Sequence, residues 1–226
     1  MLILAVDTSG KHGSIALAEC GQSQPCLPIE VVDLAGGTFS AQLVPQIAAL
    51  LARHGFHQAN IGGFAVASGP GSFTGLRVGL AAVKALAEIL KQPIAAVSLL
   101  EAIARSSALP GTVLTVLDAG RGEVYVGNYE TGPTLRMRSE RLLSRQEFLA
   151  ESKGHAVVTP DSSLAEAAQA AGIQVQRIDY PRSDLIARLG WDKIQRGETI
   201  LSEDLEANYI RRSDAEIFSS AKTALN

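Results

Sequence analysis

Short apolar runs alternate with amphipathic stretches along this chain, and polar turns separate them. The first run, Leu2–Val6, is continuous and predicts a buried strand that ends at Asp7 in a glycine-containing turn. Ser14–Ala18 and Ile29–Leu34 predict two more strands, and Ala41–His54 predicts a helix. Alternation of this kind is typical of a sheet with helices packed on it, part of it parallel.

The later part of the chain continues the same alternation. Ser40 is the expected N-cap of the first helix, with Pro45 near the first turn, where a missing N–H costs least. Further strands are predicted at Gly63–Ser68, Ile94–Val97, Thr112–Leu117, Glu123–Tyr129, Ala156–Val158 and Gln174–Ile178. Further helices are predicted at Thr74–Lys91, Leu99–Ser107, Arg145–Ser152, Ser162–Ala171 and Ser183–Arg196.

The order of elements at the N-terminus recurs after residue 110. A strand that ends at Asp7, a glycine turn and a second strand are matched by a strand that ends at Asp118, a glycine turn and another strand. This recurrence predicts an α/β fold with an N-terminal lobe of residues 1–110 and a C-terminal lobe of residues 111–226. Two such lobes suggest the actin-like ATPase (ribonuclease H-like) architecture, whose hairpins hold nucleotide phosphates in its active members.

The stretch "ASGPGSFTGLRVG", residues 67–79, connects a predicted strand to a predicted helix. A P-loop needs Lys and Ser or Thr after its last glycine, whereas Leu and Arg follow Gly75. A dinucleotide GxGxxG motif also fails, because Thr74 occupies its third glycine position. Two interpretations stay open, a turn whose amides bind an anion and a turn in which Ser72 or Thr74 caps the helix. The capped turn is favoured.

The helix after this stretch has more apolar surface than one sheet can cover. At 100° per residue its charged residues fall in one narrow arc, and apolar or small residues occupy the rest. One apolar face covers the helix's own sheet, and a second faces another element, which Gly75 and Gly79 would allow to approach closely. The predicted interface comprises Leu43, Ile47, Leu50, Leu51, Gly75, Val78, Gly79, Ala82, Ala85, Leu86 and Ile89. Packing of the two helices on each other is the alternative to a subunit interface.

Charge and composition restrict the classes of function. With 226 residues, a net charge of −3 and a pI near 5.8, the chain is unsuited to bind nucleic acid by itself. Its apolar start has no basic residues and stops at Asp7, and no window is long enough to span a membrane, so a cytoplasmic protein is expected. Cys20 and Cys26 are expected to be free thiols, with a disulfide as the alternative. The segment from about Ser213 is expected to be a poorly ordered tail.

The sequence contains no complete catalytic or metal-binding motif. Asp7 and Asp118 occupy matching points of the two lobes, where they would face an interlobe cleft or cap their own turns. The residues of a possible vestigial nucleotide cleft are Asp7, Ser9, Gly71 and Asp118. His54 and His57 lie near a helix end with no carboxylate close in sequence, so no metal site is predicted. No catalytic residue and no cofactor are predicted.

Several of these motifs resemble the TsaB (YeaZ) family over most of the chain. The matching segments are Ile3–Ser9, Gly69–Gly79, Leu117–Tyr125 and the late element Tyr209–Arg211. The resemblance implies a role in forming threonylcarbamoyladenosine beside the anticodon of tRNA. Phe39 stands where the family often has His, and Arg121 lies one place later than in the family's Asp-Ala-Arg motif. These departures argue against carrying a role over to Ser40 or Arg121.

The same resemblance implies a non-catalytic subunit and a set of partners. The implied partners are a TsaD-type transferase, bound as a heterodimer through the N-lobe helices, and a TsaE-type ATPase. The chain alone would homodimerise through the same surface and would reach tRNA only through the complex. The alternative is a nucleotide-binding ATPase or phosphotransferase of the actin-like superfamily, with Asp7 and Asp118 in its cleft. Direct binding of tRNA is a third hypothesis, which the acidic charge balance disfavours.

Overall fold

The computed structural model of the chain describes residues 1–22, 24–132 and 134–210. Arg211 and the tail predicted from about Ser213 lie outside these residues. The strands are β1 (Leu2–Asp7), β2 (Gly13–Glu19), β3 (Leu27–Leu34), β4 (Ile61–Gly69), β5 (Ile94–Ser98), β6 (Gly111–Gly120), β7 (Glu123–Thr131), β8 (Arg136–Ser144), β9 (Ala156–Thr159) and β10 (Val175–Arg177). The helices are α1 (Phe39–Arg53), α2 (Phe73–Leu90), α3 (Leu99–Arg105), α4 (Arg145–Glu151), α5 (Ser162–Ala170) and α6 (Ser183–Gln195). Within the described ranges, no helix is both long and apolar enough to cross a membrane.

The strands form two five-stranded sheets of the same topology. The first sheet has the order β3-β2-β1-β4-β5 and the second has the order β8-β7-β6-β9-β10. In each sheet three successive strands pair antiparallel, and two more pair parallel after helical connections. The recurrence predicted from the sequence is therefore confirmed, as a duplicated strand order.

The last helix of each repeat packs on the sheet of the other repeat. Helix α3 follows β5 and contacts β6 and β7 more extensively than β4 and β5 of its own sheet, and α6 follows β10 but contacts β1 and β4. A Cβ on Gly190 of α6 would lie 2.3 Å from the Cβ of Ala65 on β4, so this helix lies very close to the first sheet. One hydrophobic cluster includes Ile3 of the first sheet and Val113 of the second. The boundary near residue 110 thus separates two sheets that share a core, and the division into two domains stays a prediction.

Helix α1 begins two residues earlier than its sequence suggests, at Phe39 instead of Ala41. Thr38 occupies the N-cap position, so the prediction of Ser40 as the N-cap is wrong. The earlier start is explained by Phe39, which is buried one turn before Leu43 on the same face of the helix. Pro45 consequently lies in the helix interior, on the exposed side, where water can satisfy the carbonyl that its missing N–H leaves unpaired.

Strand β8 is an element that the hydrophobic pattern does not predict. Its sequence, RMRSERLLS, is rich in charged residues and has no alternation of apolar and polar positions. It forms because it pairs antiparallel with β7 along most of its length, from Arg136 opposite Glu130 to Ser144 opposite Glu123. As an edge strand with one neighbour, it needs less apolar surface than a central strand.

The two cysteines form a disulfide, which corrects the expectation of free thiols. Cys20 directly follows β2 and Cys26 directly precedes β3. Because these strands pair antiparallel, the chain reversal between them brings the two Cα atoms within 3.9 Å. The pairing therefore results from the β2–β3 hairpin.

Candidate functional site

The glycine stretch packs directly on the turn that follows β1. Ser72 is the N-cap of α2, and its Oγ accepts a hydrogen bond from the Gly75 N–H at 3.3 Å, which confirms the capped turn. The Ser72 N–H donates to the carbonyl of Ser9 at 2.6 Å. Thr8 Oγ1 donates to the carbonyl of Gly75 at 2.7 Å. These polar groups of the stretch bind the neighbouring turn of the same chain.

Three glycines at four-residue intervals make this contact sterically feasible. A Cβ on Gly71 would lie 2.4 Å from the Ser9 carbonyl oxygen, and one on Gly75 would lie 2.0 Å from the Thr8 carbonyl oxygen. A Cβ on Gly79 would lie 2.4 Å from Thr8 Oγ1. The prediction that Gly75 and Gly79 allow another element to approach the outward face of α2 is therefore wrong. Both residues are buried, and their lack of a side chain allows the turn after β1 to pack closely on α2.

A cleft of about 840 Å³ lies between the two lobes. The four predicted cleft residues, Asp7, Ser9, Gly71 and Asp118, all line it. The first lobe contributes the β1–β2 turn and the N-terminal ends of α1 and α2, and the second contributes the β6–β7 turn and the segment before α6. Asp7 and Asp118 reach one cleft because they occupy equivalent strand ends in the duplicated sheets.

Asp7 is buried at the end of β1 and hydrogen-bonded within its own turn. Its Oδ1 accepts from the Ser9 N–H at 2.9 Å and from Ser9 Oγ at 2.5 Å. Burial raises the pKa of the Asp7 carboxyl above its ordinary value, and the two hydrogen bonds from Ser9 oppose part of that rise. The Oδ1 atom of Asp7 thus caps its own turn.

Asp118, the equivalent residue in the second lobe, is exposed and paired with a cation. Its Oδ1 accepts from the Arg145 guanidinium at 3.2 Å, and its backbone N–H donates to Asp161 Oδ2 at 2.9 Å. Neither partner is visible to sequence reasoning, because they lie 27 and 43 residues away along the chain. The two aspartates share the cleft but have different environments.

Tyr180 lies in front of the β1–β2 turn and lines the cleft. A Cβ on Gly10 would lie 3.6 Å from its hydroxyl oxygen, and the hydroxyl hydrogen-bonds with the Ser9 side chain. The Tyr180 side chain is 40% exposed, but desolvation around its hydroxyl raises the pKa of the phenol, and the carboxylates of Asp7 and Asp161 raise it further. Tyr180 is therefore part of the cleft wall next to the β1–β2 turn. No sequence motif pointed to Tyr180.

His54, at the end of α1, has a carboxylate neighbour. Glu30 of β3 accepts a hydrogen bond from the Arg53 guanidinium at 2.7 Å, and its other oxygen lies 2.7 Å from His54 Nε2. Glu30 is 24 residues away from His54 in the chain, and it comes close because β3 runs beside the end of α1. Within the part of the chain that the structure describes, no three His, Cys, Asp or Glu side chains are grouped as metal ligands.

The solvent-facing sides of α1 and α2 are apolar along most of both helices. Val44 on α1 is 61% exposed, and Ile89 on α2 is 76% exposed. The remaining exposed positions of α1 before Arg53 include no charged residue. We call this surface the apolar helix face. Its residues are Ala41, Val44, Pro45, Ala48, Ala49, Ala52, Val78, Ala81, Ala82, Ala85 and Ile89, of which Val78 and Ala82 are half-buried.

The eleven predicted interface residues differ in how far they are exposed to solvent. Leu43, Ile47, Leu50, Leu51, Gly75 and Gly79 are buried within the chain, Val78, Ala82 and Leu86 are half-buried, and Ala85 and Ile89 are exposed. The leucines, Phe39 and Ile47 of α1 turn inward to the first sheet and α2, and Val44 and the alanines turn outward. The predicted interface set therefore lacks Val44 and its neighbouring alanines. The signal that could have found them is the absence of charge from Phe39 to Ala52.

Residues 200–210 run antiparallel along the charged side of α2, and we call them the C-terminal strap. Leu205 of the strap is buried in the core of the first lobe. The hydrogen bonds between strap and helix are Ser202 Oγ to Glu88, Lys84 Nζ to the Glu203 carbonyl at 3.3 Å, and Arg77 Nε to Tyr209 Oη at 3.1 Å. The strap and α1 thus flank α2 and leave its apolar side open.

Comparisons with known proteins agree with this architecture. The family model described as TsaD, tRNA N6-adenosine threonylcarbamoyltransferase, matches residues 33–156, more than half of the chain. The tRNA threonylcarbamoyladenosine biosynthesis protein TsaB of Bacillus subtilis is 35% identical over 131 residues, 58% of this chain and 56% of that protein. The chain thus spans about half the length of the curated relatives that it matches.

Solved structures extend the likeness over nearly the whole chain. A crystal structure described as an uncharacterised protein with similarity to peptidase YeaZ from Pseudomonas aeruginosa has a TM-score of 0.75 at 26% identity, covering 93% of this chain and 99% of that one. A second structure, YeaZ from Pseudomonas aeruginosa, has a TM-score of 0.73 at 24% identity, covering 92% and 99%. The fold is the two-lobed actin-like ATPase fold. Three curated relatives that are 31–35% identical carry the name TsaB, and the chain itself belongs to the family of the TsaD model.

Proposed function

We propose that this chain acts in tRNA threonylcarbamoyladenosine biosynthesis as a non-catalytic subunit that binds and supports a TsaD-type transferase. The observation that carries the proposal is the apolar helix face, which covers two adjacent helices and contains no charged residue. Contiguous exposed apolar patches of this kind on soluble proteins mark interaction sites. A specific interface needs about 800 Å² from each partner, which two helices of this length can provide.

The duplicated fold contains an internal comparison for this surface. Helices α4 and α5 occupy the positions in the second repeat that α1 and α2 occupy in the first. Their exposed positions include Arg145, Glu147 and Glu151 on α4 and Glu166 on α5. Helix α1 thus has no exposed charged residue before Arg53, whereas α4, in the equivalent place, has three. The difference supports a docking role for the first lobe.

The geometry of the cleft supports the non-catalytic part of the proposal. The turn after β1 uses polar groups of Thr8 and Ser9 to bind the glycine stretch and Asp7. The Tyr180 hydroxyl lies next to that turn, 3.6 Å from the place where a Cβ on Gly10 would be. Polar groups of the β1–β2 turn thus bind within this chain, which supports a non-catalytic role.

The family resemblance supplies the remaining partners of the proposal. A TsaE-type ATPase joins the pair of subunits, and the chain without its partner homodimerises through the apolar helix face. Contact with tRNA occurs only through the complex, since a net charge of −3 gives this chain little affinity for phosphates.

Charge insertion into the apolar helix face tests the proposal. Ala85→Glu and Ala82→Glu each place a carboxylate at the centre of the face and are expected to abolish co-purification with the TsaD-type subunit. Ala170→Glu, at an exposed alanine of α5, is the matched control and retains binding. The fluorescence of Trp191, the single tryptophan, reports whether each variant is folded. Unchanged complex formation by both face variants would exclude the proposal.

A nucleotide-using ATPase or phosphotransferase is the alternative, and the interlobe cleft with Asp7 and Asp118 is the observation that favours it. Calorimetry with ATP and Mg²⁺ on the full chain distinguishes the two. Tight binding with turnover that Asp7→Asn removes would establish the enzyme. No heat of binding is the result expected from the proposed function.

A further inference from the structure

Three side chains from two separate segments form a cluster at the start of α2. Phe73 is the first residue of the helix, Arg77 lies one turn later, and Tyr209 belongs to the C-terminal strap. The guanidinium carbon of Arg77 lies 3.6 Å from the centre of the Phe73 ring, and its Nε donates to Tyr209 Oη at 3.1 Å. The two ring centres are 5.1 Å apart. The guanidinium is therefore fixed by a ring on one side and by a hydroxyl at one nitrogen.

The two terminal nitrogens of Arg77 remain available for binding. Among the described residues, neither of them donates a hydrogen bond or forms an ion pair. The aromatic residues around it are open to solvent as well, since Phe73 is 39% exposed and Tyr209 is 42% exposed. By contrast, Arg138 and Arg141 of β8 each pair with a carboxylate of the chain. Arg77 is held in place with its carboxylate-binding edge unused.

This cluster lies at the rim of the apolar helix face. Arg77 and Ala81 are four residues apart on α2, so their side chains are neighbours on the helix surface. Protein interfaces have an apolar centre and a polar rim, and Arg and Tyr are enriched among the residues that contribute most to binding. An arginine already fixed by its neighbours loses less side-chain entropy when a partner binds, which increases affinity.

We propose that Arg77 is a preorganised anchor that binds a carboxylate of the partner subunit at the rim of the apolar helix face. Phe73 and Tyr209 are positioning residues, which hold the guanidinium in the orientation for a two-pronged hydrogen bond. The inference rests on the proposed function and specifies the partner's surface, an apolar patch bordered by an Asp or Glu side chain. The C-terminal strap thereby becomes part of the docking surface through Tyr209.

A purely structural role for the cluster makes a different prediction. In that case Arg77 only fastens the C-terminal strap to α2, and its loss lowers the stability of the chain. Binding of the partner would then lose affinity equally at low and high salt. An anchor for a carboxylate requires instead that the loss of affinity be larger at low salt, because salt screens the interaction between the two charges.

The test measures affinity between the full chain and the purified TsaD-type subunit of the same genome, at low and high salt. Arg77→Ala is expected to weaken binding about tenfold to a hundredfold at low salt and to flatten the salt dependence. Arg77→Lys is expected to recover only part of the loss, since Lys keeps the charge but not the planar fork. Tyr209→Phe keeps the ring, removes the acceptor of Nε and gives a smaller loss. Arg136→Ala, at an exposed arginine of β8, is the matched control.

The outcomes separate this inference from the proposed function. If Arg77→Ala binds like Arg136→Ala while Ala85→Glu abolishes binding, the anchor is excluded and the docking surface stands. If Arg77→Ala weakens binding equally at both salt concentrations, the cluster is a structural fastening and the anchor is also excluded. If Ala85→Glu and Ala82→Glu have no effect, the proposed function and the inference both fail.

Discussion

Thr8 and Gly75 lie in direct contact between the β1–β2 turn and the first turn of α2. Thr8 Oγ1 donates to the Gly75 carbonyl at 2.7 Å, and the Thr8 carbonyl oxygen lies 2.0 Å from the place where a Cβ on Gly75 would be. The contact joins two segments that are 67 residues apart in the chain. It explains the glycine stretch as a packing motif that brings a helix end onto a strand end.

Substitution of Gly75 by alanine tests this explanation. The added methyl group would overlap the backbone of Thr8, so Gly75→Ala is expected to reduce the free energy of unfolding by about 1–3 kcal/mol. Urea denaturation followed by Trp191 fluorescence measures the change. Gly132→Ala is the control, since Gly132 has open space around its Cα and no left-handed φ, and its effect should stay within about 0.5 kcal/mol. Equal stability of the two variants would contradict the packing role.

The burial of Asp7 predicts a pH-dependent gain in stability for Asp7→Asn. The pKa of the Asp7 carboxyl is raised in the folded state, so the folded protein holds this proton more tightly than the unfolded chain. Its contribution to stability is complete below the ordinary Asp pKa of about 3.9 and is lost as pH rises through the folded value. Asparagine still accepts from Ser9 and carries no such loss. The free energy of unfolding, measured across this pH range, should rise for Asp7→Asn relative to wild type as pH rises. A difference in unfolding free energy that stays constant with pH would contradict the prediction.

Glu140 joins the two lobes by accepting three hydrogen bonds. Its carboxylate accepts from Ser98 Oγ and Tyr129 Oη, each at 2.5 Å, and from the Asn208 side chain at 2.6 Å. Glu140→Ala leaves the buried Tyr129 hydroxyl without its acceptor and is expected to cost about 1–3 kcal/mol of unfolding free energy. Thermal denaturation measures the loss. Glu166→Ala, at an exposed position of α5, should melt like wild type, and similar melting of both variants would refute the joining role.

The two sides of α1 should respond differently to truncation of their side chains. Leu43 is buried, so Leu43→Ala is expected to lower the free energy of unfolding by about 2–5 kcal/mol. Val44 is exposed on the apolar helix face, so Val44→Ser is expected to leave stability nearly unchanged and to weaken binding of the TsaD-type subunit. Denaturation and affinity measurements on both variants provide the comparison. A large loss of stability in Val44→Ser, with binding unaffected, would contradict the assignment of the face.

The exchange of helices between repeats predicts that residues 1–110 do not fold alone. That fragment lacks α6, which covers β1 and β4, and it exposes the apolar residues beneath that helix. The expected amide NMR spectrum of the fragment is poorly dispersed, whereas that of the full chain is well dispersed. A well-dispersed spectrum from the fragment would establish residues 1–110 as an independent domain.

The sequence by itself determined most elements of the fold. Strand positions such as Leu2–Val6 follow from continuous apolar runs, and the Asp7 and Asp118 turns reveal the duplication, because local pattern and backbone propensity suffice for both. The failure of the phosphate motifs was also readable, since those motifs require particular residues at fixed spacing.

The tertiary structure decided which surfaces remain open. Helical periodicity showed that α2 has more apolar surface than one sheet can cover. Only the fold shows that Gly75 and Gly79 pack against Thr8, and that the C-terminal strap lies along the charged side of α2. The pairing of β8 with β7 and the Asp118–Arg145 contact likewise depend on residues distant in the chain. Periodicity gives the directions in which side chains point along one element. Long-range packing decides which of those side chains contact another element and which stay exposed. The apolar helix face consists of apolar side chains that no other element covers.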